Sequence, residues 1–461
     1  MISPEEIIAL GENRLELHCL NMKLESLSSE GHVFSGSGVV RQTPDGQLYF
    51  TLYTNEKFSF PKVVRHHYIG DHPSGSILPK SAYYRLSAKD SKGREWVCER
   101  VSLISLDIYS TDEGTIFKGN LDQITYLIEG FGSDKDFLYL EIFDNVKLPY
   151  NTPKIVKKIV ADKESTSISR DVLMFSAKEI EFEMKKERES LVLEAKSTGP
   201  SFVPYFEIRV IEALQFVTSR PLRWSIMIKQ SNGNKLTSIR AIHRENLKYN
   251  IEPPIDLSLG NDYEFCEIFR CYLEYVLEFP EDKFHPISGD MSEICKASIA
   301  PIETRSLILA VAVESILKHV HETKFQFSDE EKEWIKKARS YFDSWGGPES
   351  LSTRIKNLFS MLNYPSASML LTELNEKGVI TEEQKKDWQK LRNLTVHGGG
   401  IGSAASLQDF VDLYFKVLVL FYHLVFFAIG YLGKYSDYST KGWPTKVYSV
   451  VPKSLPDKAK T

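Results

Sequence analysis

The first half of the chain contains short segments in which apolar and polar residues partly alternate, and these segments are rich in β-branched and aromatic side chains. Alternation with a period of two predicts strands whose side chains point to opposite faces of a sheet. We expect strands at residues 14–20, 47–54, 82–88, 94–102 and 137–143. The sequence TPDGQ at 43–47 contains an Asp-Gly pair, which predicts a hairpin turn before the second of these strands.

Residues 151–165 are polar and rich in lysine, and we expect them to connect this region to a second one that contains further strands. Strand-like segments follow at 191–195 and 222–230, and SNGNK at 231–235 predicts another hairpin turn. The segment FEIRVIEALQFV at 206–217 has the apolar spacing of an amphipathic helix.

From about residue 261 the apolar residues recur at helical spacing. Thr381 and Gln384 form a capping box, and the glycines at 398–400 provide a stop, so one helix should span about 382–397. Earlier helices are expected at 263–279, 304–322 and 350–363. The pattern predicts an α+β fold, in which a β-rich N-terminal half precedes an all-α C-terminal helical bundle. The expected segments are a β-rich domain at 1–150, a β-containing region with one helix at 151–260, a helical domain at 261–445 and a tail at 446–461.

Residues 414–432 are almost wholly apolar and about long enough to cross a bilayer. Lys416 and His423 interrupt this stretch, and a helix that is apolar on all sides also suits the centre of a helical domain. We expect a buried helix and no membrane contact. A membrane-associated sensor that uses this segment is the alternative.

The composition is that of a soluble globular protein, with 42% hydrophobic and 26% charged residues. A formal net charge of −5 argues against a protein that coats nucleic acid by bulk charge, although a local basic site is compatible with it. The five cysteines form no C-x-x-C pair, so the sequence predicts neither a metal site nor a disulfide framework. The acidic N-terminus differs from an export signal, and we expect a cytoplasmic protein without a cofactor.

The helix expected at 382–397 concentrates polar and basic residues near its end. Lys386, Lys390, Asn393 and His397 are spaced by four, three and four residues, which places them in one stripe, and Arg392 lies about 100° round from Asn393. Trp388, Leu391 and Thr395 form the face that should pack against the domain. Basic residues in a last helical turn also oppose the helix dipole, so the spacing alone is compatible with a role in stability.

The sequence Arg392-Asn393-x-x-x-His397, near the end of a late helix and followed by a long apolar helix, resembles the Arg–His motif of the HEPN superfamily of ribonucleases. The segment GYLGKYSDYSTKGW at 430–443 is similar to the tail of the HEPN domain in ApeA-type anti-phage proteins, and AVESILK at 312–318 looks like their first-helix segment with its acid. These pieces cover roughly residues 300–443. The segment FSGSGVVRQTPDGQLYFTLY also looks like the N-terminal region of ApeA-type proteins, although less distinctively.

The resemblance implies metal-independent cleavage of RNA, in which the ribose 2′-hydroxyl attacks the adjacent phosphate. His397 would then transfer protons and Arg392 would bind the charged phosphate oxygens in the transition state. The amide of Asn393 would hold the imidazole or the phosphate. Lys386 and Lys390 are candidate contacts for the RNA backbone, and Glu314 is a candidate partner that keeps Arg392 in position.

The resemblance further implies an anti-phage defence protein that cuts tRNA or another cellular RNA during infection, after a phage-derived trigger. The active unit should be at least a homodimer, because one Arg392 and one His397 supply a single titrating group for a reaction that needs an acid and a base. The main alternative is a catalytically inactive HEPN scaffold that binds RNA, a nucleotide or a partner protein.

Overall fold

The protein is described by a computed structural model, in which the chain forms two compact units. One unit comprises residues 1–203 and 222–246, and the other comprises 204–221 and 247–461. The described residues are 2–28, 32–55, 76–102, 106–110, 114–132, 135–160, 163–199, 201–242, 251–258, 260–321, 325, 327–362, 364–396 and 406–450.

The first unit is built on one large antiparallel sheet that follows a short N-terminal helix, α1 (Pro4–Gly11). Its strands are β1 (Glu16–Ser26), β2 (Val33–Gln42), β3 (Leu48–Thr54), β4 (Tyr83–Asp90), β5 (Glu95–Ser102), β6 (Leu106–Ser110), β7 (Thr115–Leu121), β8 (Gln123–Ile128), β9 (Phe137–Ile142), β10 (Thr152–Val160), β11 (Lys163–Ala177), β12 (Ile180–Glu187), β13 (Ser190–Ser197), β14 (Ile226–Ser231) and β15 (Asn234–Arg240). Their order across the sheet is β10-β11-β12-β13-β9-β14-β15-β8-β5-β4-β1-β2-β3-β7-β6. The five strands expected in the first 150 residues are therefore confirmed, with ends that agree within two residues except at β1, which continues to Ser26, six residues beyond its predicted end.

The two predicted hairpin turns are confirmed. The TPDGQ turn joins β2 to β3, and Thr43 N–H donates to the carbonyl of Gln47 at 2.9 Å. Gly46 there has a φ of +88°, and an added Cβ would lie 2.2 Å from the carbonyl oxygen of Ile242, so only glycine fits. The second turn joins β14 to β15 through Asn232 and Gly233, both with positive φ.

The prediction that residues 151–165 form a connection is wrong, because residues 152–160 and 163–165 belong to the paired strands β10 and β11. Strand β10 lies at one edge of the sheet. Charged residues, lysine above all, are common on edge strands, where they discourage pairing with other chains. The boundary expected at residue 150 also falls within one sheet, since β9 pairs with both β13 and β14.

A bulge in β1 explains an exposed leucine in an otherwise alternating strand. The pairing of β1 shifts register between Cys19 and Met22, so these two side chains, three residues apart, are both buried. Leu20 between them is 75% exposed. A bulge inserts an extra residue and returns the following side chains to the core face, where Met22 and Leu24 join the apolar cluster of this unit.

The described part of the second unit consists of helices followed by a short hairpin. Its elements are α2 (Phe206–Thr218), α3 (Asp262–Val276), α4 (Pro286–Ala297), α5 (Ile302–Ile316), α6 (Asp329–Asp343), α7 (Glu349–Met361), α8 (Ala367–Glu376), α9 (Glu382–Val396), α10 (Leu407–Ile429), β16 (Gly433–Ser436) and β17 (Thr445–Tyr448). A π-helical turn at Leu317–His321 extends α5. The α+β class is thus confirmed, with strands concentrated in the N-terminal half and helices in the C-terminal half.

Helix α2 matches the helix expected at 206–217, but it is buried on nearly all sides and belongs to the helical unit. It carries a fully buried ion pair, in which Arg209 Nη1 lies 2.6 Å from Glu212 Oε2. The other terminal nitrogen of Arg209 donates to the carbonyls of Glu281 and Lys283, each at 2.7 Å. Burial raises the pKa of the Glu212 carboxyl to about 7, and the nearby Arg209 opposes this rise.

Helix α10 contains residues 414–429 of the apolar stretch at 414–432; it begins earlier than predicted, after the N-cap Ser406, and ends at the C-cap Gly430. Most of its side chains are buried within the helical unit, which agrees with the expected buried helix. By length and apolar composition it is also the one helix in the described part of the chain that meets the requirements of a membrane span.

Candidate functional site

Helix α9 carries most of the predicted site, and its start is fixed by the expected capping box. Thr381 Oγ1 accepts the N–H of Gln384 at 3.2 Å, and the N–H of Thr381 donates to Gln384 Oε1 at 3.0 Å. These reciprocal bonds satisfy two donors that a helix start would leave unpaired. The described helix ends at Val396, one residue before the predicted end.

The predicted packing face of α9 is confirmed. Trp388 and Leu391 are buried, and Trp388 Nε1 donates to the carbonyl of Ala310 on α5 at 3.1 Å. Thr395 is partly buried, and its hydroxyl donates to the carbonyl of Leu391 at 3.0 Å. This packing fixes the rotation of α9 about its axis and therefore the direction of the neighbouring Arg392.

Arg392 lies beside Glu314 of α5, which is the contact that the acid in the apolar helix suggested. Arg392 Nε is 3.3 Å from Glu314 Oε2, and the guanidinium carbon is 5.8 Å from the centre of the Trp388 ring. The other oxygen of Glu314 lies 3.7 Å from Lys318 Nζ. The Arg392 side chain is 39% exposed, so it is held at Nε while part of its guanidinium faces solvent.

Of the remaining predicted site residues, three are exposed on α9 and one lies outside the described part of the chain. Asn393, Lys390 and Lys386 are exposed on α9, and Lys386 Nζ lies 3.9 Å from Glu382 Oε1. His397 lies outside the described residues, as do the glycines that follow it. The structure therefore brings Arg392 and Glu314 together and leaves the distance from Arg392 to His397 open to experiment.

This arrangement is suited to binding an anion. Glu314 orients the guanidinium through Nε, and the terminal nitrogens form a planar fork of donors that matches two oxygens of a phosphate. Among the described residues, Glu314 is the ion-pair partner of Arg392. No three His, Cys, Asp or Glu side chains in the described part of the chain are close enough to hold a metal ion.

A second polar feature, which the sequence did not predict, lies at the other end of α9. A pocket of about 480 Å³ is lined by α9, α10, the turn before α9 and the β16–β17 hairpin. Gln384 Nε2 lies 3.1 Å from His423 Nδ1 at its wall, and burial lowers the pKa of His423 to about 4. The available sequence signal was His423 itself, a polar residue in a helix that is otherwise apolar.

The chain was compared with models of known protein families, with curated proteins and with solved structures, and none of the three comparisons gave a match.

Proposed function

We propose that the protein is a metal-independent endoribonuclease of HEPN type, with Arg392, Asn393 and His397 at its active site. The observation that carries this proposal is the partly exposed side chain of Arg392, whose Nε is held by Glu314 and whose helix, α9, is fixed by Trp388. An arginine that is oriented in advance and still open to solvent is the arrangement that binding of a phosphate needs. The resemblance of the Arg392-to-His397 sequence to the HEPN motif supplies the reaction.

In the proposed reaction the ribose 2′-oxygen attacks the adjacent phosphorus while the bond from phosphorus to the 5′-oxygen breaks. His397 accepts the 2′-hydroxyl proton, and a protonated imidazole gives a proton to the departing 5′-oxygen. Arg392 neutralises the negative charge that develops on the phosphorane oxygens. The products are a cyclic phosphate and a 5′-hydroxyl, and no metal ion takes part.

The acid and the base in this scheme are the His397 side chains of two copies, so the proposed active unit is a homodimer or a larger homo-oligomer. The apolar side chains of α10 are mostly buried within the helical unit, and they leave little surface for a second copy. Exposed apolar side chains are instead found on α6 and α7, including Trp334, Tyr341, Leu358 and Met361. We place the contact between copies on these two helices, since apolar patches that remain exposed commonly mark interfaces.

We further propose that the cleaved RNA is tRNA or another cellular RNA, that a phage-derived signal triggers cleavage, and that the protein acts in the cytoplasm. The proposals on the RNA and the trigger rest on the resemblance to ApeA-type proteins, and the cytoplasmic location rests on the cysteines, whose spacing predicts no disulfide framework. Lys386 and Lys390 are exposed on α9, and we propose that they contact the RNA backbone near Arg392.

The test is to incubate purified protein with total RNA in the presence of a chelator and to map the new ends. We expect 5′-hydroxyl and cyclic phosphate ends with the wild type, and none with His397→Ala. Arg392→Lys should cut about 10²-fold more slowly, because lysine cannot bridge two phosphate oxygens. Matched controls are His18→Ala and Arg85→Lys, which change exposed residues of the sheet unit.

Two results would reject the nuclease proposal. Equal cleavage by the wild type and His397→Ala would show that His397 is not a catalytic residue. Binding of RNA without the appearance of any new RNA ends would favour the inactive scaffold instead.

A further inference from the structure

The pocket beside α9 contains a histidine whose protonation is fixed by its neighbours. Gln384 Oε1 accepts the N–H of Thr381, so the amide nitrogen of Gln384 must face His423. An amide nitrogen can only donate, and Nδ1 of His423 is therefore the acceptor. In a neutral imidazole the single proton then resides on Nε2.

The resulting N–H group at His423 Nε2 is buried and lacks an acceptor among the described residues. The hydroxyl of Tyr448 is likewise buried without a described partner. Buried polar groups are almost always hydrogen-bonded in folded proteins, and leaving one unpaired is costly. Both residues line the same pocket, so the missing partners are most simply supplied by a molecule bound in it.

The charged groups at the pocket are already paired with one another. Lys446 Nζ lies 2.6 Å from Asp437 Oδ2. Lys416 Nζ lies 3.7 Å from Glu383 Oε1 and 3.6 Å from Asp387 Oδ2. The groups left over for a ligand are therefore neutral, which disfavours an ion and favours an uncharged molecule with hydrogen-bonding atoms.

Aromatic rings surround the same histidine. The Tyr435 ring stands edge-on to the His423 ring at a centroid distance of 4.9 Å, and the Tyr448 ring lies at 5.0 Å with a tilt of 45°. Both tyrosines belong to the hairpin of β16 and β17, whose strands have four residues each. Aromatic faces next to neutral hydrogen-bonding groups are the usual surroundings of a bound nucleobase.

We propose that this pocket binds a nucleobase, which accepts a hydrogen bond from His423 Nε2, forms another with Tyr448 Oη and lies beside the tyrosine rings of the hairpin. A volume of about 480 Å³ is in the range of small-molecule sites. Because Nε2 and Oη are covered, side chains at the pocket wall must move as the base enters. The source of the base is either a free nucleoside or a single-stranded RNA. This inference does not depend on the proposed nuclease activity, since it concerns binding alone.

The experiment measures binding of adenosine, guanosine, cytidine and uridine, and separately of a 2′-O-methyl RNA oligomer, to the full chain by titration calorimetry. The 2′-O-methyl group blocks the proposed cleavage, so binding is measured independently of it. Tyr448→Phe removes only the hydroxyl, and His423→Phe removes the N–H while keeping a ring. Each should raise the dissociation constant about fivefold, the usual effect of one lost neutral hydrogen bond.

Matched controls are Tyr263→Phe and His18→Phe, whose side chains are exposed outside the pocket and which should bind as the wild type does. Urea unfolding of every variant identifies any that is simply destabilised. Binding of a nucleoside that both pocket variants weaken supports a site for a free nucleoside. Binding of the oligomer alone, weakened in the same way, supports a subsite for an RNA base. Absence of binding by both ligands, or equal affinity in wild type and pocket variants, overturns the proposal.

Discussion

The contact between Glu314 and Arg392 makes it possible to separate positioning from stability with one substitution. Glu314→Gln preserves the size of the side chain but removes the negative charge that faces Arg392 Nε at 3.3 Å. The two side chains are 25% and 39% exposed. A partly solvated ion pair contributes at most about 1 kcal/mol, so the free energy of unfolding should fall by less than that amount.

The effect on RNA cleavage should be larger than the effect on stability. A neutral amide holds the guanidinium less firmly, and small displacements of a group that binds the transition state are expensive. We expect a fall of about tenfold in the single-turnover rate, which corresponds to about 1.4 kcal/mol of transition-state stabilisation. The fall should appear in kcat more than in KM, because the interaction strengthens as charge develops on the phosphate.

The assay is single-turnover cleavage of labelled RNA, accompanied by urea unfolding of the same protein. The matched control is Glu293→Gln, since Glu293 is also a helical glutamate in an ion pair, 2.7 Å from Lys296, but it lies on α4. Glu314→Gln should have no further effect in an Arg392→Lys background, because it acts through Arg392. An undiminished rate, or an equal loss with and without Arg392, would show that Glu314 does not position the arginine.

Three further expectations concern buried charge, pH and assembly. Arg209→Met leaves the buried Glu212 without its charged partner, and the free energy of unfolding of the helical unit in urea should fall by about 3–5 kcal/mol. The double variant Arg209→Met with Glu212→Leu should recover most of that loss. Equal stability of the single and double variants would contradict the reasoning. Burial lowers the pKa of His423 to about 4, so its contribution to stability is complete above the unfolded pKa of about 6.5 and is lost as the pH falls towards 4. Between about pH 7 and pH 4.5 the wild type should therefore lose about 2–3 kcal/mol more than His423→Gln, and equal losses would exclude His423 as the source. Co-expression of wild type with an equal amount of His397→Ala should leave about one quarter of the dimers fully wild type, and cleavage should fall to about that fraction. Cleavage that falls only to about one half, in proportion to the wild-type chains, would refute a composite site.

Elements defined by local chemistry were predictable from the sequence. The Asp-Gly turn at 43–47 and the capping box of Thr381 and Gln384 each involve residues within four positions of one another, and both are present as expected. The contact of Arg392 with Glu314 was also accessible, because a lone acid in an apolar helix needs a basic partner. Local signals of this kind need no knowledge of which elements pack together.

The errors arose where neighbours distant in sequence decide the structure. The lysine-rich segment at 151–165 has the composition of a loop, but its residues 152–160 form a strand because they pair with β11, which pairs in turn with β12. Helix α2 has amphipathic spacing, yet its second face is covered as well, and Arg209 is buried because carbonyls from residues 281 and 283 receive its donors. No pattern within either segment specifies those partners.

The pocket at His423 shows how a local motif acquires a distant consequence. The capping box was evident from the spacing of Thr381 and Gln384, but its effect on His423 depends on packing of α9 against a residue 39 positions later. Since the cap occupies the amide oxygen of Gln384, the amide nitrogen faces the imidazole and the ring proton is confined to Nε2. Thr381→Val would remove the hydroxyl that accepts the N–H of Gln384 but leave the Thr381 N–H that holds the amide. A substitution of Gln384 itself, by contrast, removes the donor to His423 Nδ1, and the ring proton can then reside on either nitrogen of His423.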